Sequence, residues 1–558
     1  MTARRRVAAA LLAAGAVLLL WNLGRPALWQ DEAETALRAE SILESGVPRL
    51  KVRGVLATAQ PSLAAREANA AGVWTWDTWL PAYLCAASFA VLGPSPLAAR
   101  LPFALAGALA LWLWWRLFSD AQDAARRSWA PEAALALLAL SPAYLLFCRQ
   151  SRYYALVVLG NALVLVGWRR LLEKKPWGAL AVALALNFLL HASFGFFAAA
   201  ALALALDAAL RFQECFRARR FWIAAGLTVV LATPVVLYFR VWARPGNHAY
   251  GFFESLEFLK TFLLWLAAFA VPLALVAAAQ ARNWGRVAVG FALLCGLVAE
   301  GPASRLCAVL VLLALAAAAA RAPAEPGRLS LRRAGLLLIV ATLGLLAFGA
   351  AEPYGRYLAG LLPACAYLAA VEIDRLGRGR AAAVAGLTAA AVSCNILFIA
   401  PLKAAQAFAA PDAPAESVSG MMRGRLRDLG ARSDLLGFLR ETARGAGGYV
   451  EPAAAAMRAG GGATFFSDAD QLSLLFATGL RPVYPDELAS SAPDWILASP
   501  WLGLSPREQT RVGDLLASGR YEDAGVAAPR LLWQNNPDPL YRIYAPVSGP
   551  LPLYRRRR

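Results

Sequence analysis

Long apolar runs separated by short basic loops dominate residues 1–400 of this chain. The first run, Val7–Leu23, follows three consecutive arginines and shows no convincing cleavage site after it. About 20 apolar residues are enough to cross a bilayer as a helix, so the pattern predicts a polytopic α-helical membrane protein with about 13 transmembrane helices. The later runs lie near residues 97–117, 131–148, 154–171, 177–192, 194–211, 220–240, 257–280, 285–299, 304–320, 334–350, 356–371 and 380–400.

The basic residues predict the orientation of these helices. Lysines and arginines collect in alternate loops, and such loops face the cytoplasm. The alternation requires that the apolar run at 77–92 does not cross the membrane, so we expect it to form a juxtamembrane helix on the outer face. The N-terminus is then cytoplasmic, whereas the first outer loop, residues 24–96, and the C-terminal residues 401–558 lie outside.

Residues 401–558 lack long apolar runs, and their short strands alternate with helices, which predicts a small extracytoplasmic α/β domain. No Rossmann-type phosphate-binding fingerprint is present. The predicted strands are Ala463–Ser467, Arg481–Tyr484, Trp495–Ala498, Leu531–Trp533 and Tyr541–Tyr544, and the predicted helices are Ala469–Thr478 and Pro506–Ala517.

Composition supports the membrane interpretation. The 558 residues are 59% hydrophobic and only 16% charged, with a mean hydropathy of +0.51. The net charge of +19 follows from basic cytoplasmic loops, and the chain has no nucleic-acid-binding motif. The seven cysteines are scattered without a CxxC pair, and the chain has only two histidines. These counts exclude a disulfide framework and a multi-histidine metal site.

An acidic cluster, Trp29–Glu34, follows the first apolar run and contains Asp31, Glu32 and Glu34. Ionisable groups beside a bilayer are candidates for function. The alternative is that Asp31 and Glu32 begin an interfacial helix, because carboxylates favour a helix N-terminus. The spacing of apolar residues predicts a helix over Ala33–Ser45, ended by Gly46.

Other polar residues gather at the predicted outer ends of the helices. Arginine can donate two parallel hydrogen bonds to phosphate oxygens. Arg149, Arg152 and Arg356 are therefore candidates to bind a phosphate. Each arginine has the alternative of snorkelling to the interface. Asp77 and His191 are candidate ligands of a divalent metal ion, together with a loop acid, although a hydrogen-bonded histidine explains His191 more simply.

Four phrases, taken in order, resemble the GT-C glycosyltransferases, and more narrowly the bacterial branch related to protein O-mannosyltransferases and lipid A aminoarabinose transferases. Trp29–Glu34 comes directly after the first helix, and the other three phrases follow later in the membrane region. They are Trp76–Leu84, Leu92–Pro102, and Gly355–Leu358 followed by Leu361–Pro363. The resemblance covers residues 1–400 well and residues 401–558 only in outline. Two departures are Thr78-Trp79 where the family often has Pro-Pro, and Arg149 where many members carry an acid.

The resemblance implies an inverting glycosyltransferase of a bacterial inner membrane. Its donor would be a polyprenyl-phosphate-linked hexose or pentose, and its acceptor a lipid, glycan or protein on the outer face. Asp31 is then the candidate general base, and Glu32 either orients the loop or binds the acceptor. Arg149, Arg152 and Arg356 would bind the donor phosphate in one cavity. The candidate substrate-binding residues are Tyr153, Tyr357 and Trp76, whose rings equally fit an interfacial aromatic belt.

Two other functions compete with this interpretation. A transporter or flippase of lipid-linked sugars would carry charges within its spans and an inverted repeat, and neither is evident in the sequence. A membrane scaffold gives no reason for the acidic first loop. A short distance between Asp31 and Arg152 or Arg356 would favour the enzyme, because a catalytic cavity brings these groups together.

Overall fold

A computed structural model describes most of the chain, and the account below is confined to those residues. The described residues are 3–58, 61, 64–121, 128–243, 251–264, 266, 292–293, 295–297, 301–350, 353–374, 435, 438–439, 442–443, 448–467, 470–498, 506–530, 547–550 and 552–557.

The loop that follows the first helix contains the helix that carries the acidic cluster. This helix, α2, covers Gln30–Ser45 and begins three residues before the predicted start. Asp31 and Glu32 occupy its first turn, where carboxylates interact favourably with the helix dipole. Gly46 ends the helix, as predicted, with a φ of 77°, a left-handed conformation that glycine adopts at little cost. The other elements of this part are α1 (Ala3–Leu20), β1 (Lys51–Val52), β2 (Val55–Leu56) and α3 (Ala64–Glu67).

Apolar helices form the body of the molecule, and their bounds follow the predicted runs closely. A further helical stretch covers residues 252–264, and a 3₁₀ helix, Gly355–Leu361, directly precedes the helix Leu362–Asp374. The helices are α4 (Leu80–Leu92), α5 (Pro96–Asp120), α6 (Ala130–Ala139), α7 (Pro142–Cys148), α8 (Tyr154–Leu172), α9 (Gly178–Ala192), α10 (Phe194–Leu210), α11 (Phe212–Phe216), α12 (Arg219–Phe239), α13 (Pro302–Arg321), α14 (Leu331–Gly349) and α15 (Leu362–Asp374).

The predicted run at 131–148 is not one continuous helix. It consists of α6 and α7, which are bent by 61° relative to each other. Pro142 causes the break, because proline has no N–H to donate and disfavours a helical conformation at the preceding residue. Ser141 starts the second helix by accepting a hydrogen bond from the N–H of Tyr144 at 3.4 Å. The bend directs the following turn, residues 149–153, towards α2.

Within the described ranges, six helices are long and apolar enough to cross a membrane, and the bent pair would make a seventh. The helices α4, α9 and α10 are apolar but shorter. Most of the runs predicted at 257–280, 285–299 and 380–400 lie outside the described residues. The expected count of about 13 spans, the orientation and the juxtamembrane placement of α4 therefore stay predictions.

The C-terminal part contains a five-stranded mixed sheet with the strand order β4-β3-β5-β9-β6. The strand β3 runs parallel to β4 and β5, whereas β9 runs antiparallel to β5 and β6. Three predicted strands have counterparts here, and those predicted at 531–533 and 541–544 lie outside the described residues. The elements are α16 (Val450–Gly460), β3 (Thr464–Ser467), α17 (Gln471–Thr478), β4 (Arg481–Pro482), β5 (Trp495–Leu497), α18 (Pro506–Ala517), β6 (Tyr521–Asp523), β7 (Ala527–Arg530), β8 (Val547–Pro550) and β9 (Leu553–Arg556).

The C-terminal part packs directly on the loop that contains α2. The helix α17 lies against α2, and the N–H of Leu472 donates to Gln30 Oε1 at 3.0 Å, one residue before Asp31. The hydroxyl of Tyr484 donates to the carbonyl oxygens of Leu56 and Thr58. The acidic helix is thus held between the membrane-region helices and the C-terminal part.

Candidate active site

Glu32, one of the acids of the cluster, forms an ion pair with Arg100 that is closed to solvent. Two guanidinium nitrogens of Arg100 donate to the two oxygens of Glu32, at 2.8 Å and 2.6 Å. Glu32 also accepts from the N–H of Ser151 at 3.0 Å and from the N–H of Trp29 at 3.4 Å. The Glu32 side chain is 0% exposed and that of Arg100 is 2% exposed. These contacts tie α2 to α5 and to the turn before α8.

The catalytic prediction for Glu32 is therefore corrected. A general base must reach the hydroxyl that it deprotonates, and a carboxylate without exposed surface, already holding four hydrogen bonds, cannot do so. Of the two predicted roles, the geometry favours orientation of the loop. Sequence reasoning missed Arg100, although it lies within the quoted phrase Leu92–Pro102. The signal was an arginine near the start of a largely apolar helix.

Asp31 lies one residue earlier and faces two arginines from distant parts of the chain. Its Oδ2 is 4.0 Å from a terminal guanidinium nitrogen of Arg152 and 3.8 Å from one of Arg356. The Asp31 side chain is 26% exposed, and the arginines are 15% and 13% exposed. The structure thus brings Asp31 together with both arginines that the enzyme hypothesis required. A partly open carboxylate between two guanidinium groups can meet a hydroxyl and an anion at the same time.

Glu34 is a third acid of the cluster, and it was not among the predicted site residues. Its Oε2 accepts a hydrogen bond from Arg152 at 3.2 Å. Burial raises the pKa of the Glu34 carboxyl to about 7, although the Arg152 guanidinium acts in the opposite direction. Such a pKa is typical of groups that exchange protons during function. The available signal was its position three residues after Asp31, on the same face of α2.

Aromatic rings surround the guanidinium of Arg356. Its central carbon lies 4.0 Å from the ring centre of Tyr354, 5.4 Å from that of Trp29 and 5.9 Å from that of Tyr357. Cation–π contacts of this kind restrain an arginine without neutralising its charge. Tyr357, a predicted substrate-binding residue, is therefore placed beside the predicted phosphate-binding arginine.

A small cavity opens beside the Arg152–Glu34 pair. It combines two acids, two arginines and three aromatic residues, and Tyr153 is the predicted substrate-binding residue among them. Such a mixture of rings and charged groups suits a polar ligand with a flat or ring-shaped body. The cavity is lined by Glu34, Thr35, Arg38, Trp74, Asp77, Thr78, Trp79, Pro81, Ala82, Arg152 and Tyr153.

Arg149 is separate from this cluster, which corrects the prediction of one cavity with three arginines. Its guanidinium donates to the carbonyl oxygen of Leu18 at 2.6 Å and lies 5.6 Å from the ring centre of Phe438. The Arg149 side chain therefore reaches α1, whereas that of Arg152, three residues later, reaches α2. Arg149 therefore ties α7 to α1 in this structure.

Trp76 and the candidate metal ligands lie at the edge of the site. Trp76 is 38% exposed and is not a lining residue of the cavity. Asp77 lines the cavity, and its Oδ1 accepts from the N–H of Thr78 at 2.8 Å, whereas His191 is exposed. Among the described residues, no three His, Cys, Asp or Glu side chains are grouped to hold a metal ion. The donor set thus does not fit the expected metal site, and metal dependence stays a prediction that chelation would test.

No protein-family model matches this chain, and no curated protein matches it. Among solved structures, the chain is similar to ArnT from Cupriavidus metallidurans bound to undecaprenyl phosphate. That match has 14% identity and a TM-score of 0.48, and it covers 91% of this chain and 87% of ArnT. The apo state of ArnT matches with 15% identity and a TM-score of 0.48, covering 92% and 94%.

A weaker match is the arabinofuranosyltransferase AftD from Mycobacteria. It has 18% identity and a TM-score of 0.37, and it covers 71% of this chain and 27% of AftD. At this degree of similarity the matches assign no function to individual residues.

Proposed function

We propose that this chain is a membrane glycosyltransferase that moves a sugar from a polyprenyl-phosphate donor to a hydroxyl acceptor. The observation that carries the proposal is the position of Asp31. Its side chain is 26% exposed and lies 3.8–4.0 Å from the guanidinium groups of Arg152 and Arg356. A base beside two cations is the arrangement needed to deprotonate an acceptor while a phosphate leaves.

The reaction is an inverting single displacement in which each group has one task. The acceptor oxygen attacks the anomeric carbon, and its proton passes to Asp31. The bond between the anomeric carbon and the phosphate oxygen breaks, and its electron pair stays on the polyprenyl phosphate. Arg152 and Arg356 stabilise the charge that develops on that phosphate, because arginine forms paired hydrogen bonds to phosphate oxygens.

The ion pair of Glu32 and Arg100 has a supporting task in this mechanism. It fixes the first turn of α2 against α5 and against the N–H of Ser151. Asp31 is therefore held while its own carboxylate stays accessible. The C-terminal part supports the same turn from the other side through Gln30. Preorganisation of this kind reduces the cost of aligning the base with its substrate.

A transfer assay with purified protein in lipid nanodiscs tests the proposal. Undecaprenyl-phosphate-linked hexoses and pentoses serve as donors, an envelope extract supplies acceptors, and mass spectrometry detects the product. Asp31→Asn keeps the shape of the side chain but removes the base, so we expect turnover to fall by about 10²–10⁴-fold. The control is Glu44→Gln, an exposed position on the same helix, which should keep full turnover.

Three results would change the assignment. Undiminished turnover in Asp31→Asn would remove Asp31 as the base. The absence of transfer with every donor would argue against the enzyme. Movement of a lipid-linked sugar across proteoliposomes without any transfer would support the alternative of a transporter or flippase.

A further inference from the structure

Arg152 contacts two acids, Asp31 and Glu34, and the mechanism proposed above gives Glu34 no role. One terminal nitrogen donates to Glu34 Oε2 at 3.2 Å, to the Asp31 carbonyl oxygen at 3.2 Å and to Thr35 Oγ1 at 3.3 Å. The other lies 4.0 Å from Asp31 Oδ2. Glu34, rather than Asp31, is therefore the closer ionic partner of Arg152. An incoming phosphate must compete with Glu34 for this guanidinium.

Arg152 also has unused capacity for hydrogen bonding. Its Nε is buried and has no hydrogen-bond partner among the described residues. A buried donor without a partner costs free energy, and an oxygen of a bound anion would relieve this cost. The guanidinium is thus suited to a ligand oxygen that replaces the Glu34 contact.

Resting on the function proposed above, we propose that Glu34 is a positioning residue that holds Arg152 in the empty site and releases it to the donor phosphate by taking up a proton. The donor brings a negative charge next to the Glu34 carboxylate, and a nearby like charge favours the protonated form of an acid. Neutral Glu34 then holds Arg152 only weakly, and the full charge of Arg152 faces the phosphate.

The groups around Glu34 are consistent with this exchange. Arg152 and Arg38 favour its ionised form, whereas Asp31, Glu67 and above all burial favour its neutral form. Asp77 and Tyr153 line the same cavity from the segment before α4 and the turn before α8. The raised pKa of about 7 means that a small change in nearby charge alters the protonation of Glu34 near neutral pH.

The sign of the expected pH dependence follows from proton uptake. If the bound anion raises the Glu34 pKa further, binding takes up a proton, so affinity is highest below the pKa of the empty site and falls as the pH rises above it. A phosphodiester is the suitable probe, because its single charge does not titrate in this range. Undecaprenyl methyl phosphate is such a diester.

The experiment measures the affinity of the full-length protein in nanodiscs for undecaprenyl methyl phosphate at about pH 6 and about pH 8. An increase of the Glu34 pKa by about one unit on binding, from about 7, makes wild-type binding about fivefold tighter at the lower pH than at the higher. Glu34→Gln should bind with the affinity of the wild type at the lower pH, and without the pH dependence. Glu40→Gln is the matched control on the same helix, since Glu40 pairs with Arg53 instead, and it should keep the dependence.

A second measurement uses only the wild-type protein and so does not depend on how the variant folds. Calorimetric titration in two buffers of different ionisation enthalpy should report proton uptake on binding near neutral pH. Binding without proton uptake, or a pH dependence that survives in Glu34→Gln, would overturn the role of Glu34 and leave the glycosyltransferase proposal intact. Failure of the wild type to bind the diester at any pH would overturn both proposals.

Discussion

Two carboxylates on α2, two residues apart, have opposite environments. Glu32 and Arg100 are 0% and 2% exposed, and every Glu32 oxygen is hydrogen-bonded. Glu34 and Arg152 are 19% and 15% exposed, and one contact of 3.2 Å joins them. A step of two residues rotates a helix by about 200°, so the two side chains leave α2 on nearly opposite sides. The first pair is a structural link, and the second can exchange partners.

The largest effect that we expect is on stability, from breaking the closed pair. Arg100→Leu leaves the Glu32 carboxylate buried without its cationic partner, which typically costs about 3–5 kcal/mol. Thermal unfolding in detergent should show a large decrease in Tm. The comparison is Arg328→Ala, which removes an exposed pair with Glu325 and should change stability by less than about 1 kcal/mol. Equal effects of the two substitutions would contradict the structural role of the closed pair.

The next effect concerns the open cluster and should appear in donor binding rather than in stability. Arg356→Ala removes a charged hydrogen-bond donor, and we expect a loss of about 1.5–3 kcal/mol in affinity for the phosphodiester probe. Arg356→Lys keeps the charge but loses the paired N–H donors of the guanidinium group, so the affinity should fall less than in Arg356→Ala. Arg149→Lys, on the Leu18 carbonyl, is the control that should leave affinity unchanged. A larger loss of affinity for Arg149→Lys than for Arg356→Lys would show that Arg149 does bind the phosphate.

A smaller effect distinguishes the two pairs by their response to pH. Burial raises the pKa of Glu34 in the folded protein to about 7 from the ordinary value of 4.5, so the folded protein binds more protons than the unfolded chain between these pH values. Stability therefore falls as the pH rises through this window. Glu34→Gln should remove this decrease and be more stable than the wild type above neutral pH. Chemical unfolding at several pH values measures it, and a steeper decrease in the variant would be the opposite of our expectation.

The smallest effect concerns the contact between α2 and the C-terminal part. Gln30→Ala removes the acceptor of the Leu472 N–H, and one neutral hydrogen bond contributes about 0.5–1.5 kcal/mol. Because this contact lies one residue before Asp31, turnover should fall several-fold while affinity for the phosphodiester stays the same. Gln213→Ala, on the short helix α11 far from this contact, provides the control. A change in affinity without a change in turnover would show that Gln30 acts on the donor site instead.

Much of the site was accessible from residue type and position alone. Asp31, Arg152 and Arg356 were selected because they lie next to the predicted outer ends of apolar runs, and such ends meet at one surface of a helical bundle. The structure brings these three together. The bounds of α5, α8 and α12 also follow the hydropathy pattern, because helices of this kind are defined by length and apolar character.

Other features of the site depended on the directions in which side chains point, and a hydropathy pattern carries no information about these directions. Arg149 and Arg152 lie three residues apart at the same helix end, but the 61° bend before α7 and the turn after it direct them to different partners. Glu32 was grouped with Asp31 because the two are adjacent in sequence. Its removal from the catalytic set depended on Arg100, which lies 68 residues later.

The sequence by itself determined the membrane class, the α/β character of the C-terminal part and the acidic first loop as the candidate site, because composition and periodicity report on solvent and on local structure. Only the tertiary structure decided that Glu32 is buried in an ion pair and that Glu34 stays partly exposed. That outcome depends on which cation reaches each carboxylate and how much water remains beside it. Both quantities are set by the packing of α2 against α5, the turn before α8 and α17, and none of these contacts is local in the chain.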